Sequence, residues 1–327
     1  MEDATGKIGI ITVNWNGWRH TRECIHALEA SDATNWRLYI VDNASTDGSQ
    51  GQLRDLPSNA VLIESSVNAG WAGGNNIAIK RALAEGCTFI FLLNNDAMVL
   101  PDTLNVLLRT YVENQHSAPV LGPVNMTEDG KGYDFVATVH NAQKGTPDRV
   151  PSTDFARSLE ALLVPTAYIN GAGLFASADH FRGVGLFDER FFLNYDETDW
   201  CYRARAAGFP LYTVSKAAIL HKGSASIGGA SSVLQTYFMT RNRLLFLEKH
   251  GTLGQRLLAL RELVWIARDI SGRQSRLGWL APTIAAKGGR LAAFRQGFVD
   301  YVLRRFGDCP SVVREWHRIA QEKQREG

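Results

Sequence analysis

Three carboxylates fall within four residues in the segment Asn194-Tyr195-Asp196-Glu197-Thr198-Asp199-Trp200-Cys201-Tyr202-Arg203. If a helix begins there, Asp196, Asp199 and Arg203 share one face by their i, i+3, i+7 spacing, while Glu197 and Cys201 share an adjacent one. Like charges this close repel. A folded chain accepts them on a solvated first helical turn, where the helix dipole favours anions, or where raised pKa values serve acid–base chemistry. The local pattern leaves both readings open. Another carboxylate, Asp96, closely follows the apolar run 89–93. At the lip of a sheet it can hold a hard divalent cation against a diphosphate, or it can cap a turn. His221 follows the apolar run 217–220 and could complete a metal site with Asp96; a packed, hydrogen-bonded histidine is the plainer alternative.

Asp42 ends a further apolar run and can accept hydrogen bonds from a base or a ribose, with Asn43 and Ser45 in support. Residues 68–76, Asn-Ala-Gly-Trp-Ala-Gly-Gly-Asn-Asn, put three glycines just before an expected helix, so that backbone and helix N-terminus can approach a nucleotide closely. The segment is neither a P-loop nor GxGxxG. Turn chemistry alone also favours Asn, Asp and Gly.

The elements that must position these residues are legible as alternating patterns. Apolar runs at 8–13, 38–41, 60–63 and 89–93 are predicted buried strands, and helical patterns are predicted at about 19–30, 75–86 and 101–114. Such alternation implies a parallel sheet covered on both faces, with ligands gathered beyond the carboxyl ends of the strands. Asn14-Trp15-Asn16-Gly17, Asp42 to Asp47, residues 68–76 and Asn94-Asn95-Asp96 all follow such strands. Four polar segments at one edge favour a polar ligand over four unrelated turns. From 124 to 165 the periodicity fades into an irregular or hairpin excursion able to contact a second substrate. It resumes at 168–176. A helix is predicted at 196–207, stopped by Gly208, then a strand at 211–214, a Gly/Ser-rich loop at 223–232 and several helices. The expected division is 1–123 for a ligand-binding half, 124–235 for a second half of the same domain able to contact a second substrate, and 236–327 for a helical C-terminal extension.

With 327 residues, 45% of them hydrophobic, the chain can bury a substantial core. The 35 Lys and Arg against 33 acidic residues leave a net charge of +2, with no sign of a nucleic-acid binder. The distribution is uneven. Residues 251–327 hold 14 basic and 7 acidic residues, a net of +7, against 21 basic and 26 acidic residues in the first 250. A basic helical tail with interleaved Trp, Leu and Phe suits an anionic membrane surface, and equally a solvated face. Cys24, Cys87, Cys201 and Cys309 form no CxxC pair, which argues against a zinc site and a disulfide framework and fits a reducing cytoplasm. No signal-peptide pattern or bilayer-length apolar segment is present, so any contact with the inner face of a membrane would be peripheral.

Taken in order, Thr12-Val13-Asn14-Trp15-Asn16-Gly17, Val41-Asp42-Asn43-Ala44-Ser45, residues 68–76, Leu92-Leu93-Asn94-Asn95-Asp96, Gly171-Ala172-Gly173, Asp188-Glu189-Arg190-Phe191-Phe192, residues 195–201, His221 and Arg241-Asn242-Arg243 resemble the family 2 glycosyltransferases. Among these, the chain is similar to bacterial rhamnosyltransferase-like members that build cell-surface polysaccharides. The resemblance covers about residues 8–250. It implies an α/β chain of the A-type glycosyltransferase fold, a mostly parallel Rossmann-like sheet with helices on both faces and a C-terminal helical extension. It also implies a Mg²⁺- or Mn²⁺-dependent, inverting transfer of a sugar from a nucleotide diphosphate to a hydroxyl acceptor. By the resemblance, Thr12, Asn14, Asn16, Asp42, Asn43, Ser45, Asn68, Gly70, Asn76, Asn94 and Asn95 receive the nucleotide sugar, with Arg241 and Arg243 helping at the leaving group. Asp96 and His221 are the implied metal ligands. Trp71, Gly171, Ala172, Gly173 and Trp200 are assigned to sugar or acceptor.

Asn94 stands where many relatives carry the first Asp of a DxD motif, so waters and phosphate oxygens would fill positions around a metal held at Asp96. The family's Glu-Asp pair reads Asp196-Glu197 here. Alignment on Asp199-Trp200-Cys201 puts the base on Glu197, with Asp196 second and Asp199 orienting or binding the acceptor. The expected donor is dTDP-rhamnose, UDP-sugars remaining open, and the expected acceptor is a saccharide or lipid-linked saccharide. The tail is expected to touch a membrane, pair two copies in a homodimer, or pack beneath the catalytic lobe. The rival readings are a sugar nucleotidyltransferase, which would normally carry a Gly-rich phosphate loop where Asn14-Trp15-Asn16-Gly17 stands, and a catalytically silent carbohydrate-binding or assembly subunit.

Overall fold

Each of the four apolar runs in the first hundred residues forms a strand: β1 (Ile8–Asn14), β2 (Trp36–Asn43), β3 (Ala60–Ser65) and β4 (Phe89–Leu93). The computed structural model describes residues 6–150, 154, 157, 159–223, 232–271 and 289–326. β1 pairs in parallel with β2, from Ile8 opposite Trp36 to Asn14 opposite Asp42, and with β4; β2 pairs in parallel with β3. Central strands covered on both faces should be apolar throughout, and Ile10, Ile11, Leu38, Tyr39 and Ile40 are accordingly buried.

Between these strands lie α1 (Trp18–Glu29), the short α2 (Ser49–Gln52) and α3 (Gly70–Ala84); β5 (Ala97–Val99) and α4 (Thr103–Glu113) follow β4, and a single 3₁₀ turn spans Gln115–Ser117. One face of the sheet packs Ile8, Ile10 and Phe91 with Cys24, Ile25 and Leu28 of α1 and Leu104 and Leu107 of α4. The other packs Ile11, Val41, Ile90 and Leu92 with Ala72, Ala78, Ile79 and Ala82 of α3. Helix α3 starts five residues earlier than its periodicity suggests, taking the glycines of 68–76 into its first turns. Close packing explains them: a Cβ on Gly74 would stand 2.8 Å from Val13 Cγ1.

The irregular stretch is a series of strands, all but the first too short for period-2 alternation to register, and the first buried on both faces. They are β6 (Val120–Thr127), β7 (Tyr133–Phe135), β8 (Thr138–Asn141), β9 (Thr146–Arg149) and β10 (Leu163–Pro165). Then come β11 (Gly173–Ser177), α5 (Ala178–Val184), α6 (Asp196–Ala206) and β12 (Leu211–His221). β12 outruns its predicted four residues by continuing past a register shift between Val214 and Ala218. Among the described residues the main sheet runs β10-β12-β6-β11-β4-β1-β2-β3, with β5 paired to β12 and β7 to β6; β8 and β9 pair with each other.

β11 is antiparallel to both β4 and β6, and β12 is parallel to β6. The carboxyl ends of β1, β2, β3, β4, β6 and β12 therefore share one edge, and Gly173, opposite Leu93 at the start of β11, lies at that edge too.

The chain divides into two compact units. The sheet and the helices named so far belong to the first. The second comprises α7 (Val233–His250), α8 (Leu253–Ser271), α9 (Arg290–Val302) and α10 (Ser311–Glu326), together with the segments Asn141–Thr146 and Arg190–Tyr195. Its core gathers Val233, Leu234, Tyr237, Phe238, Ala293 and Val313. Ser232 caps α7, its Oγ accepting from Gln235 N at 3.1 Å. The predicted Gly/Ser loop at 223–232 falls almost wholly outside the described residues. Among the described residues, no helix is long and apolar enough to cross a membrane.

Candidate active site

Parallel pairing sets Asn14 directly beside Asp42, and their side chains form a closed polar frame at the strand ends. Asn14 Nδ2 donates to Asp42 Oδ1 at 2.9 Å and to Ser45 Oγ at 3.1 Å, while its Oδ1 accepts from Thr21 Oγ1 at 2.8 Å. Asp42 Oδ2 accepts from Ser45 N and from Gln50 Nε2. Asn16, exposed at the rim, donates its N–H to Ser45 Oγ and accepts from Thr46 N. Thr12 is spent between strands, its hydroxyl donating to Leu93 O at 2.6 Å. Asn43 ties β2 to the start of α3: its Nδ2 donates to Asn68 Oδ1 and Gly70 O, and its Oδ1 accepts from Ala69 N. Gly70 has φ +72°, a left-handed conformation that glycine adopts without strain.

Trp71 then spans the edge. Its indole N–H donates to Asn94 Oδ1 at 2.9 Å, its ring packs edge-on to Phe187 with centroids 5.1 Å apart, and a Cβ on Gly171 would stand 2.7 Å from its Cζ2. Ala172 is buried and its carbonyl accepts from Asn94 N. Asn95 reaches back to α1, donating to Thr21 Oγ1 at 3.2 Å. The nucleotide- and sugar-assigned residues 14, 16, 42, 43, 45, 68, 70, 71, 94, 95, 171, 172 and 173 thus form one connected edge.

Beside it, the antiparallel pairing of β5 with β12 sets His221 opposite Ala97, next in sequence to Asp96. His221 Nε2 lies 3.4 Å from Asp96 Oδ1, and Nδ1 lies 3.1 Å from Asp134 Oδ2. Burial works to raise the Asp96 carboxyl, but the contact with His221 and its charge more than offset it, leaving Asp96 below its ordinary value. For His221, burial favours the neutral ring, yet Asp134 and Asp96 together push it up to about 9. Among the described residues no three His, Cys, Asp or Glu side chains form a metal cluster. The chemistry of the Asp96–His221 pair nevertheless fits a divalent cation. Nε2 is buried and makes no hydrogen bond, and it points at a carboxylate oxygen, the donor pair that imidazole- and oxygen-accepting divalent ions use.

The acidic helix start is real, and its three carboxylates occupy three different environments. Asp196 is 2% exposed; its Oδ1 accepts from Glu197 N at 3.2 Å and its Oδ2 is buried without a hydrogen bond. Burial, and next the charge of Glu197, push the Asp196 carboxyl well above the usual carboxylate range. Glu197 is partly exposed. Asp199 is fully buried and pairs with Arg203 Nε at 2.9 Å, as the helical spacing predicts. Arg203 in turn donates to Val184 O and Leu186 O, so the pair fixes the 184–186 turn.

Four assigned residues need correction. Trp200, assigned to sugar or acceptor, is fully buried, stacks on Phe181 at 4.9 Å and donates to Gly185 O; no face of it is left for a ligand. Arg241, assigned to the leaving group, is fully buried in the helical unit. Its guanidinium donates to the carbonyls of Gly307 at 2.7 Å, Phe191 at 3.0 Å and Arg190 at 3.3 Å. Arg243 pairs with Glu262 in the same unit. Asn76 has also used its amide, on Phe187 N, Phe187 O and Glu189 Oε1. Asp134 and Gln50, which join these networks, were missed because single carboxylates and amides carry no spacing signal; Glu189 lay within a recognised motif but was given no role.

Residues 9–153 match the sequence profile of glycosyl transferase family 2. The chain is 25% identical over 238 residues to the dTDP-rhamnosyl transferase RfbF of Shigella flexneri, covering 71% of this chain and 76% of that protein. The mannosyltransferase of Pyrobaculum calidifontis, solved with GDP-Man and Mn²⁺, superposes with a TM-score of 0.56 at 13% identity, over 92% of this chain and 88% of that one. GalNAc-T7, solved with UDP, GalNAc and Mn²⁺, superposes with a TM-score of 0.58 at 11% identity, over 82% of this chain, which spans 58% of that protein's length. At such identities the two structures speak for the fold. The motif order, the sheet and the profile match agree: residues 9–153 carry the glycosyl transferase family 2 pattern, and the chain has the A-type α/β glycosyltransferase fold.

Proposed function

We propose that the protein is a divalent-metal-dependent, inverting glycosyltransferase that moves L-rhamnose from dTDP-rhamnose to a hydroxyl of a saccharide or lipid-linked saccharide in cell-surface polysaccharide synthesis. The observation that carries this reading is that two kinds of acidic group, the Asp96–His221 pair and the Asp196–Glu197 pair, belong to one α/β unit built around one strand edge. Helix α6, which Asp196 and Glu197 open, is tied to that edge by Cys201, whose Sγ accepts from Ile169 N just before Gly171. The rhamnose donor is favoured by likeness to a protein named as a dTDP-rhamnosyl transferase.

In this reading Asp96 and His221 would hold Mg²⁺ or Mn²⁺, which would supply positive charge for the departing diphosphate. Burial holds Asp196 toward its neutral form, and its partly exposed neighbour Glu197 is assigned as the base. Glu197 removes the acceptor hydroxyl proton as that oxygen bonds to the anomeric carbon from the face opposite the diphosphate. The bond to the nucleoside diphosphate breaks and the configuration inverts. Proton removal supplies ~10²- to 10⁴-fold of the acceleration. The Asn14–Asp42–Ser45 frame and the Trp71–Asn94 bond give the donor a rigid floor.

The test is release of dTDP from dTDP-rhamnose, against a panel of UDP- and GDP-sugars, with Mn²⁺ and then with a chelator. Chelator-sensitive release from dTDP-rhamnose supports the reading. Release of pyrophosphate from a nucleoside triphosphate and a sugar 1-phosphate would replace it with nucleotidyl transfer. Carbohydrate binding with no turnover of any donor would make the chain a silent subunit.

A further inference from the structure

Asp134 has no place in the proposed chemistry, yet it is the closest partner of His221: its Oδ2 lies 3.1 Å from Nδ1. The backbone is arranged for this contact. Asn125 and Met126 are consecutive on β6, whereas their partners on β7 are Phe135 and Tyr133, so Asp134 is the extra residue of a β-bulge. A bulge leaves its extra residue out of the ladder and re-aims its side chain, and bulges gather beside active sites. Phe135 is 3% exposed, anchoring the bulge in the core, while the Asp134 side chain keeps 33% exposure. The opposite ring nitrogen, Nε2, is buried, makes no hydrogen bond and faces Asp96.

An imidazole that ligates a cation through one nitrogen must carry its proton on the other, and a carboxylate accepting that proton fixes both tautomer and ring orientation. We infer that Asp134 is a positioning residue for His221, holding Nδ1–H so that the Nε2 lone pair is presented beside Asp96 to a divalent cation. The inference rests on the metal role proposed for Asp96 and His221, and adds to it a residue that touches neither cation nor substrate.

The test is Mn²⁺ binding to the full-length protein in the presence of dTDP, read by electron paramagnetic resonance of the free ion, for wild type, Asp134→Ala, Asp134→Asn, Asp134→Glu, Asp96→Ala and His221→Ala. The Asp134→Ala variant should raise the Mn²⁺ dissociation constant ~10- to 100-fold, the usual cost of losing such a partner, with kcat largely regained at saturating Mn²⁺. Asp134→Glu should recover part of the affinity, which a merely structural role would not produce. In ¹⁵N spectra of the metal-free protein, the His221 Nδ1–H signal, identified by its absence in His221→Ala, should lose its hydrogen-bonded shift in Asp134→Ala. The nearly isosteric Asp134→Asn guards against misfolding and should fall between wild type and Asp134→Ala. If Asp96→Ala and His221→Ala lose Mn²⁺ while both Asp134→Ala and Asp134→Asn bind it as wild type does, the positioning role is wrong and the metal site stands. If Asp96→Ala binds Mn²⁺ as tightly as wild type, the metal site itself falls and the inference with it.

Discussion

His221 Nε2 lies 3.4 Å from Asp96 Oδ1, although 125 positions separate the two residues; the pairing of Ala97 with His221 across β5 and β12 makes the contact. If this pair holds the cation, Asp96→Ala removes the carboxylate that faces Nε2. Several kcal/mol of charge stabilisation on the leaving group should vanish with it. Nucleoside diphosphate release should fall by at least ~10²-fold and lose its response to added Mn²⁺. Turnover that stays fast and chelator-sensitive in this variant would move the metal elsewhere.

Glu197→Gln should lower kcat by ~10²- to 10⁴-fold while leaving donor affinity nearly unchanged, because the amide keeps the shape but cannot take a proton. Asp196→Asn should cost much less, since burial already holds Asp196 toward its neutral form. Single-turnover transfer and calorimetric donor binding read the two effects separately. The reverse order of severity would assign the base to Asp196.

His180 gives a pH signature of stability rather than activity. Its Nδ1 faces the Ser177 backbone N–H at 2.9 Å, which can only donate, so Nδ1 must accept; Nε2 then donates to Ala118 O at 2.8 Å. The bond at Nδ1 requires the neutral ring, and burial lowers the His180 pKa below the ordinary 6.5. The unfolded chain therefore binds this proton more readily than the folded one, and stability rises with pH. The contribution is fully present above about 6.5 and is lost as the pH falls through the lower folded value. Urea unfolding at pH 7.5 and 5 should show a larger acid loss for wild type than for His180→Gln. Equal losses would mean that the ring titrates freely.

Arg241→Met should destabilise the protein by about 3 kcal/mol, because the Gly307, Phe191 and Arg190 carbonyls lose a buried donor at ~1 kcal/mol or more each. Arg243→Met, which breaks a pair with the partly exposed Glu262, should cost ~1 kcal/mol or less. Chemical unfolding of the full chain measures both. Unchanged stability with lost donor affinity in Arg241→Met would return Arg241 to the diphosphate.

What the amino-acid order determined by itself was local or periodic. Four buried apolar runs, the helices between them and the stop at Gly208 follow from side-chain period and backbone preference within a few residues. The polar tails of those runs were bound to share an edge once the strands were parallel, so Asn14, Asp42 and Asn94 could be placed together before any coordinate was known. Asp199 and Arg203 met as their spacing required. Tertiary structure alone decided which polar side chains are used up inside. Trp200, Asn76 and Arg241 look like ligand-binding residues in a linear reading, but each is consumed by buried carbonyls, amides or rings from distant segments. It also decided that Asp134, in a stretch without periodicity, would reach His221. Burial and long-range hydrogen bonding depend on which segments meet in space, and a residue's neighbours along the chain do not carry that information.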